Sequence, residues 1–216
     1  MLSVMKMAQL SKESGVPVAT IKYYLREGLL PGGERTEPNQ ASYDDTHVRR
    51  LRIIRALVDV GGLSGAATKR VIDAIDSDRS TAEAFEVAQH TVSVEVPGTA
   101  TEATAVSRIE HLLEGWRYTS TNPGVGAAAR VLSTFEAVGQ RDDRGWFAKY
   151  AAAALAAAEA DLDEIATREG RDAQVETVVV GTVLGDVLFA ALRRVAQEHV
   201  TSQRFGPVEA SGSVES

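Results

Sequence analysis

The sequence predicts an all-α protein with a small β-hairpin wing, split into a basic N-terminal head and an acidic C-terminal helical bundle. Three observations carry this. Apolar residues recur at helical spacing along most of the chain, glycine and proline stand where helices end and begin, and charge is unevenly divided. Residues 1 to 72 hold 11 Lys/Arg against 7 Asp/Glu, a balance of +4, while the remainder holds 12 against 23, a balance of −11. The formal net charge of −7 therefore conceals a basic head, the footprint of a surface that meets a polyanion.

Taken in order, Lys6 to Ser14 reads as a first helix with Met7 and Leu10 inward, closed by Gly15. Pro17 suits the opening of the second, Val18 to Glu27, because a missing N–H costs nothing there. Ile21, Tyr24 and Leu25 share one face of that helix; Ala19, Lys22, Tyr23 and Arg26 line the other. Two short helices joined by a tight turn, the second presenting a phenol and cations, form the helix-turn-helix arrangement that major-groove reading requires. Leu30 to Tyr43 is rich in turn residues and reads as a two-stranded wing. Asp44 or Asp45 caps a third helix with Val48, Leu51, Ile54, Leu57 and Val58 inward, ended by Gly61-Gly62; Ser64 caps a fourth that packs Ala67, Val71, Ile72 and Ile75. The head is thus a winged helix-turn-helix domain over residues 1–76.

A short helix from Thr81 to about Thr91, cut off by Pro97-Gly98, makes residues 77–100 a connector. Residues 101–204 form the bundle. Its helices run from Thr101 to Trp116, from the cap pair Asn122-Pro123 to Gly139, from Asp142 or Asp143 to Glu169, and from Asp172 to Ser202. The caps and stripes are self-consistent, so this region is expected to fold without the head. The last helix is apolar nearly all round between Val178 and Val195 and is expected to be covered on most sides, at the centre of the bundle and in part at a subunit interface. Gly181 and Gly185 would admit a closely crossing helix. Its longest apolar run, Val178 to Leu192, contains Asp186, Thr182 and two glycines and reads as too short to span a bilayer. Residues 205–216 read as a disordered tail.

Gly15-Val16, then Thr20-Ile21-Lys22-Tyr23-Tyr24, then Gly28-Leu29-Leu30-Pro31 resemble the DNA-binding domain of the MerR family of bacterial transcription regulators. Arg35-Thr36, Tyr43-Asp44, Val48-Arg49-Arg50-Leu51, Ile53-Ile54-Arg55 and Gly61-Gly62-Leu63-Ser64 continue the likeness over the first third of the chain. The resemblance implies that Thr20, Lys22, Tyr23 and Arg26 face the major groove. It also implies that Arg35, Gln40, Tyr43, Arg49 and Arg50, on wing and third helix, hold DNA. Tyr24 is expected in the core. Ala19 stands where the family often has Arg, and Gln40-Ala41-Ser42 where it often has Gly-Tyr-Arg, so two cationic contacts are absent. Further implications are binding near a promoter as a homodimer, engagement of RNA polymerase and a cytoplasmic, nucleoid-associated location. The family's long antiparallel dimer helix is shortened here by Pro97-Gly98.

No cysteine is present, which excludes disulfides, thiolate metal sites and thiol redox sensing. The four histidines lie apart, with no ligand spacing, so neither metal nor cofactor is expected. No nucleophile elbow, phosphate loop or paired carboxylates point to an enzyme. Trp116, Tyr118, Phe135, Trp146, Tyr150 and Phe189 are the candidate wall of a pocket for a small apolar effector, with ordinary core as the plainer reading. Two functions remain: an effector-responsive regulator, or a ligand-independent architectural or protein-recruiting DNA binder whose bundle serves dimerisation or partner contact.

Overall fold

The structure, a computed structural model, describes residues 4–37, 40–93 and 103–206; side chains of 35–37 are outside it, as is the expected linker at Pro97-Gly98. The protein is mostly helical. Helices α1 (Met7–Ser14) and α2 (Val18–Arg26) are followed by strands β1 (Glu34–Glu37) and β2 (Gln40–Ser42). Then come α3 (Asp45–Arg55), a π-helical turn (Ala56–Val60), α4 (Gly65–Asp76) and α5 (Thr81–Val92). The C-terminal part holds α6 (Ala103–Leu112), α7 (Pro123–Ala137), α8 (Trp146–Ala166) and α9 (Arg171–Phe205).

Local chemistry sets most of these boundaries. Gly15 ends α1 in the left-handed region at φ +69°, where a Cβ would be strained. Asp44 opens α3: its carboxylate accepts from Thr46 N at 3.0 Å and His47 N at 3.3 Å. The Thr46 and His47 hydrogen bonds, the former the larger cause, hold that carboxyl down at about 2. Ser64 caps α4 through Ala67 N, and Ser80 with Glu83 closes a reciprocal box on α5. Asn122 caps α7 ahead of Pro123. Asp142 lies outside α8 but accepts from Trp146 N at 2.6 Å and Phe147 N at 3.1 Å, so the helix starts later than its acid suggests. α6 stops at Leu112, leaving Trp116 beyond it.

β1 and β2 pair antiparallel, Glu34 opposite Ser42 and Arg35 opposite Ala41, with an irregularity before Glu37–Gln40. Met5 adds a bridge to Tyr43, each N–H donating to the other's carbonyl at 2.8 and 2.9 Å. Around this frame Leu10, Val16, Ile21, Leu30, Leu51 and Ile54 form the centre of the main core.

That core does not end with the head. Ala84 and Ala88 of α5 and Val175, Val179 and Val183 of α9 are fully buried members of the same cluster. α9 reaches it because Gly61 has no side chain: a Cβ there would stand 2.4 Å from Val183 Cγ1 and 2.7 Å from the Leu57 carbonyl oxygen. Region 101–204, expected to fold without the head, thus shares part of its core with it. The first turns of α9 are core of the head, and the separate cluster of α6 and α7 is small, with Ala105, Ile109, Ala129 and Leu132 buried.

The last helix also departs from its expected setting. It runs for 35 residues and is long and apolar enough to cross a bilayer by length and composition, yet only 22% of its most apolar stretch is buried. Apolar character there does not reflect a place at the centre of a bundle. No atom lies within 4 Å of a Cβ built on Gly181 or Gly185, so neither sits at a helix crossing within the described residues.

Candidate nucleic-acid interface

The second helix of the head is gripped from below and open above. Ile21 is fully buried and Tyr24 nearly so, as its inward placement predicts; desolvation raises the Tyr24 phenol above its usual value, Asp59 adding to it. Burying these two large side chains fixes the rotation of α2 and turns Ala19, Lys22, Tyr23 and Arg26 outward, all exposed, with Thr20 at the edge. Arg26 lies over the Tyr23 ring at 5.3 Å and donates to Glu27 at 3.1 Å. A Cβ on Gly65 would stand 3.4 Å from Tyr23 Oη, so the phenol reaches the first turn of α4. Lys69 of the same helix approaches Gly28 and pairs with Asp73. Sequence reasoning treated α4 as packing only; the signal for Lys69 was its place, with Arg70, opposite the buried Val71–Ile72 side.

Tyr43 requires correction. It is 5% exposed, bridged to Met5 and set edge-on against His47 at 5.2 Å, and burial raises its phenol. It is a core residue tying the end of β2 to the segment before α1, not an exposed group. Arg35 stands on β1 with its side chain outside the described set, and Gln40 opens β2 on the exposed side.

The α3 arginines have partners within the chain. Arg50 is 16% exposed and grips Asp76 at the end of α4 with two nitrogens, one at 2.9 Å. Arg49 donates to Glu176 of α9 at 2.6 and 3.0 Å while its side chain stays 68% exposed. Arg52 and Arg55 donate to backbone carbonyls of Glu13 and Gly15, and Arg55 also pairs with Asp59 at 2.9 Å.

The six aromatics do not enclose a pocket. Phe135, Trp146 and Tyr150 form a chain of ring contacts 5.3 to 6.0 Å apart, joined by Phe147, on an open surface. Trp116, Tyr118 and Tyr150 are exposed, the last under Arg193 at 5.2 Å. Phe189 lies elsewhere, beside a groove of about 580 Å³ between α5, α8, α9 and the start of α7. Among the described residues, no three His, Asp or Glu gather where they could hold a metal ion.

Comparison with known proteins agrees with this geometry. Residues 5–75 match the model of the MerR HTH family regulatory protein. The HTH-type transcriptional regulator MerD of Acinetobacter calcoaceticus is 34% identical over 84 residues, 38% of this chain and 69% of that protein. The ZntR homolog of Haemophilus influenzae is 42% identical over 50 residues, 23% of this chain, and the match spans only 37% of its length. A crystal structure of SCO5550 from Streptomyces coelicolor A3(2), described as a transcriptional regulator, is similar over far more: TM-score 0.73, 31% identity, 94% of this chain and 99% of that one. The head supplies the family's matched region and the likeness to MerD extends past it, so the chain belongs to the MerR family of helix-turn-helix transcription regulators.

Proposed function

We propose that this chain is a sequence-specific transcription regulator that binds duplex DNA as a homodimer on a two-fold operator near a promoter. The observation that carries the reading is the exposed row Lys22, Tyr23 and Arg26 on a helix locked by Ile21 and Tyr24. Lys22 suits a guanine acceptor or a phosphate, Tyr23 a phosphate oxygen or a thymine methyl. Thr20 supports them at the edge. A helix of nine residues reads only a few base pairs, so a specific site needs two heads related by a dyad.

The β1–β2 pair acts as the wing in this reading, with Arg35 and Gln40 beside the backbone. Arg49, still largely exposed, remains a phosphate contact; Arg50 serves to tie α3 to α4. Lys69 joins the set. RNA polymerase is the protein partner and the cytoplasm the location, both by family likeness. The C-terminal helices serve dimerisation. A small apolar effector is the second reading, favoured by the groove beside Phe189 and not by the other five aromatics.

The test is fluorescence anisotropy and footprinting on the promoter fragment beside the protein's own gene, with an unrelated duplex as control. A protected two-fold site with tighter binding than the control supports the reading. Equal affinity for both duplexes refutes sequence-specific regulation.

A further inference from the structure

We propose that Glu176 of α9 is an intramolecular stand-in for a DNA phosphate, holding Arg49 back from DNA until a phosphate displaces it. The inference rests on the reading of Arg49 as a phosphate contact above and adds the contact that opposes it. One guanidinium cannot serve both anions at full strength.

The four arginines of α3 differ in where their partners lie. Arg50 grips Asp76, Arg55 pairs with Asp59, and Arg52 donates to the Glu13 carbonyl, all inside residues 1–76. Among the described residues Arg49 alone of the four is held from outside the head, by an acid 127 residues along the chain. Its Nε and one terminal nitrogen both donate to Glu176 Oε1, at 3.0 and 2.6 Å. These are adjacent donors of the guanidinium fork, the edge with which arginine grips carboxylates and phosphates alike. The pair is lopsided: the Glu176 side chain is 24% exposed and that of Arg49 68%. A phosphate can therefore approach the guanidinium from solvent while the carboxylate stays sheltered. Using the other edge of the fork does not avoid the conflict. A phosphate there would lie one guanidinium width from the carboxylate, and the two anions would repel.

Glu176 owes its position to packing. It stands next to Val175 and three residues before Val179, both fully buried in the core of the head. Arg171 donates to the carbonyls of Ser77 and Arg79, pinning the first turn of α9 to the segment after α4. The seat of α9 thus fixes where the carboxylate is, and the C-terminal region lowers the DNA affinity of the head through it. With α9 seated Arg49 is engaged, and with α9 displaced it is free. By linkage the coupling runs both ways, so DNA that captures Arg49 loosens the hold on α9. Exposed ion pairs contribute little, so freeing Arg49 raises affinity by about 2- to 5-fold. Phosphate contacts carry no sequence information, so the gain falls on all duplexes alike.

A double-mutant cycle on the full chain tests this: parent, Glu176→Gln, Arg49→Ala and both together. Each is titrated by fluorescence anisotropy against the promoter fragment and the unrelated duplex. Glutamine keeps the length and polarity of glutamate, and circular dichroism confirms that each variant folds. Glu176→Gln should tighten binding about 2- to 5-fold on both duplexes, and should change nothing once Arg49 is alanine. An equal gain in both backgrounds overturns the proposal, because Glu176 would then repel DNA as bulk negative charge and not through Arg49. Unchanged binding overturns it too, and so does weaker binding, which would make Glu176 the residue that orients Arg49. If Arg49→Ala leaves affinity intact on both duplexes, the phosphate reading of Arg49 falls and this inference with it. Should the parent bind both duplexes equally, sequence-specific regulation alone is refuted, and the cycle still decides the role of Glu176.

Discussion

Replacing Gly61 by alanine probes the seam where α9 enters the head. The new Cβ would lie 2.4 Å from Val183 Cγ1 and 2.7 Å from the Leu57 carbonyl oxygen, against about 3.5–4.0 Å for comfortable carbon contacts. Neither neighbour yields easily. The Leu57 carbonyl accepts the Leu63 N–H at 3.1 Å, and valine in a helix has one strongly preferred rotamer. α9 must therefore back away. Overpacking of this kind costs typically about 1–3 kcal/mol, offset by ~0.4–1 kcal/mol from the narrower unfolded ensemble of alanine. The net loss is about 1–2 kcal/mol, roughly 2–8 °C in Tm for a chain of this size. Thermal and urea unfolding followed by far-UV circular dichroism, at one fixed protein concentration, measures it. Val183→Ala alone should cost about 1.5 kcal/mol for two lost methyl groups, but much less in the Gly61→Ala background, because it removes the colliding atom. A coupling of 0.5 kcal/mol or more is expected. Additive effects, or a Gly61→Ala protein as stable as the parent, would show that α9 does not enter the head at this point.

Lys22→Ala and Tyr23→Ala should each leave the fold intact and weaken operator binding, by about 1–3 kcal/mol where a base is read; unchanged anisotropy titrations in both would mean that α2 presents another face. Arg49→Ala should lower the slope of log K against log salt by roughly 0.9, whereas Arg50→Ala should leave that slope alone and cost about 1 kcal/mol of stability through its lost pair with Asp76. Asp44→Ala should cost about 0.5–2 kcal/mol at neutral pH. The Asp44 carboxyl is held below its ordinary 3.8, at about 2, so its contribution is complete above the unfolded value and lost as pH falls through the folded one. The stability gap between parent and variant should close between about pH 4 and pH 2, and a constant gap across that window would remove the carboxylate from the cap.

Much of the head was legible in the sequence because its determinants are local. Ile21 and Tyr24 share a helical face, and the Gly15 and Asp44 boundaries follow from residues within one turn. Tyr43 was misplaced for the opposite reason: its burial depends on a bridge to Met5, far away in the chain. Arg49 finds its acid 127 residues away, a pairing that no periodicity reveals. The same holds for Val175, Val179 and Val183, read as part of a C-terminal bundle although their partners are in the head. The second half of α9 shows a different limit. An apolar pattern demands a covering surface, but it does not say which molecule provides it. The aromatics at 116, 118, 146 and 150 were grouped by residue type, and type alone could not bring them around one cavity.

The burial of α9 in the head has a consequence during synthesis. The N-terminal residues leave the ribosome first, but one side of their core stays uncovered until the segment around Val175 to Val183 emerges. At about 5–20 residues per second the wait is on the order of ten seconds, long enough for chaperones to meet the exposed patch. A chain that terminates early, before α9, lacks the last wall of its own head. Such fragments are poorly equipped to bind DNA. Placing a keystone of the first domain near the end of the chain thus makes a finished DNA-binding head conditional on nearly complete translation.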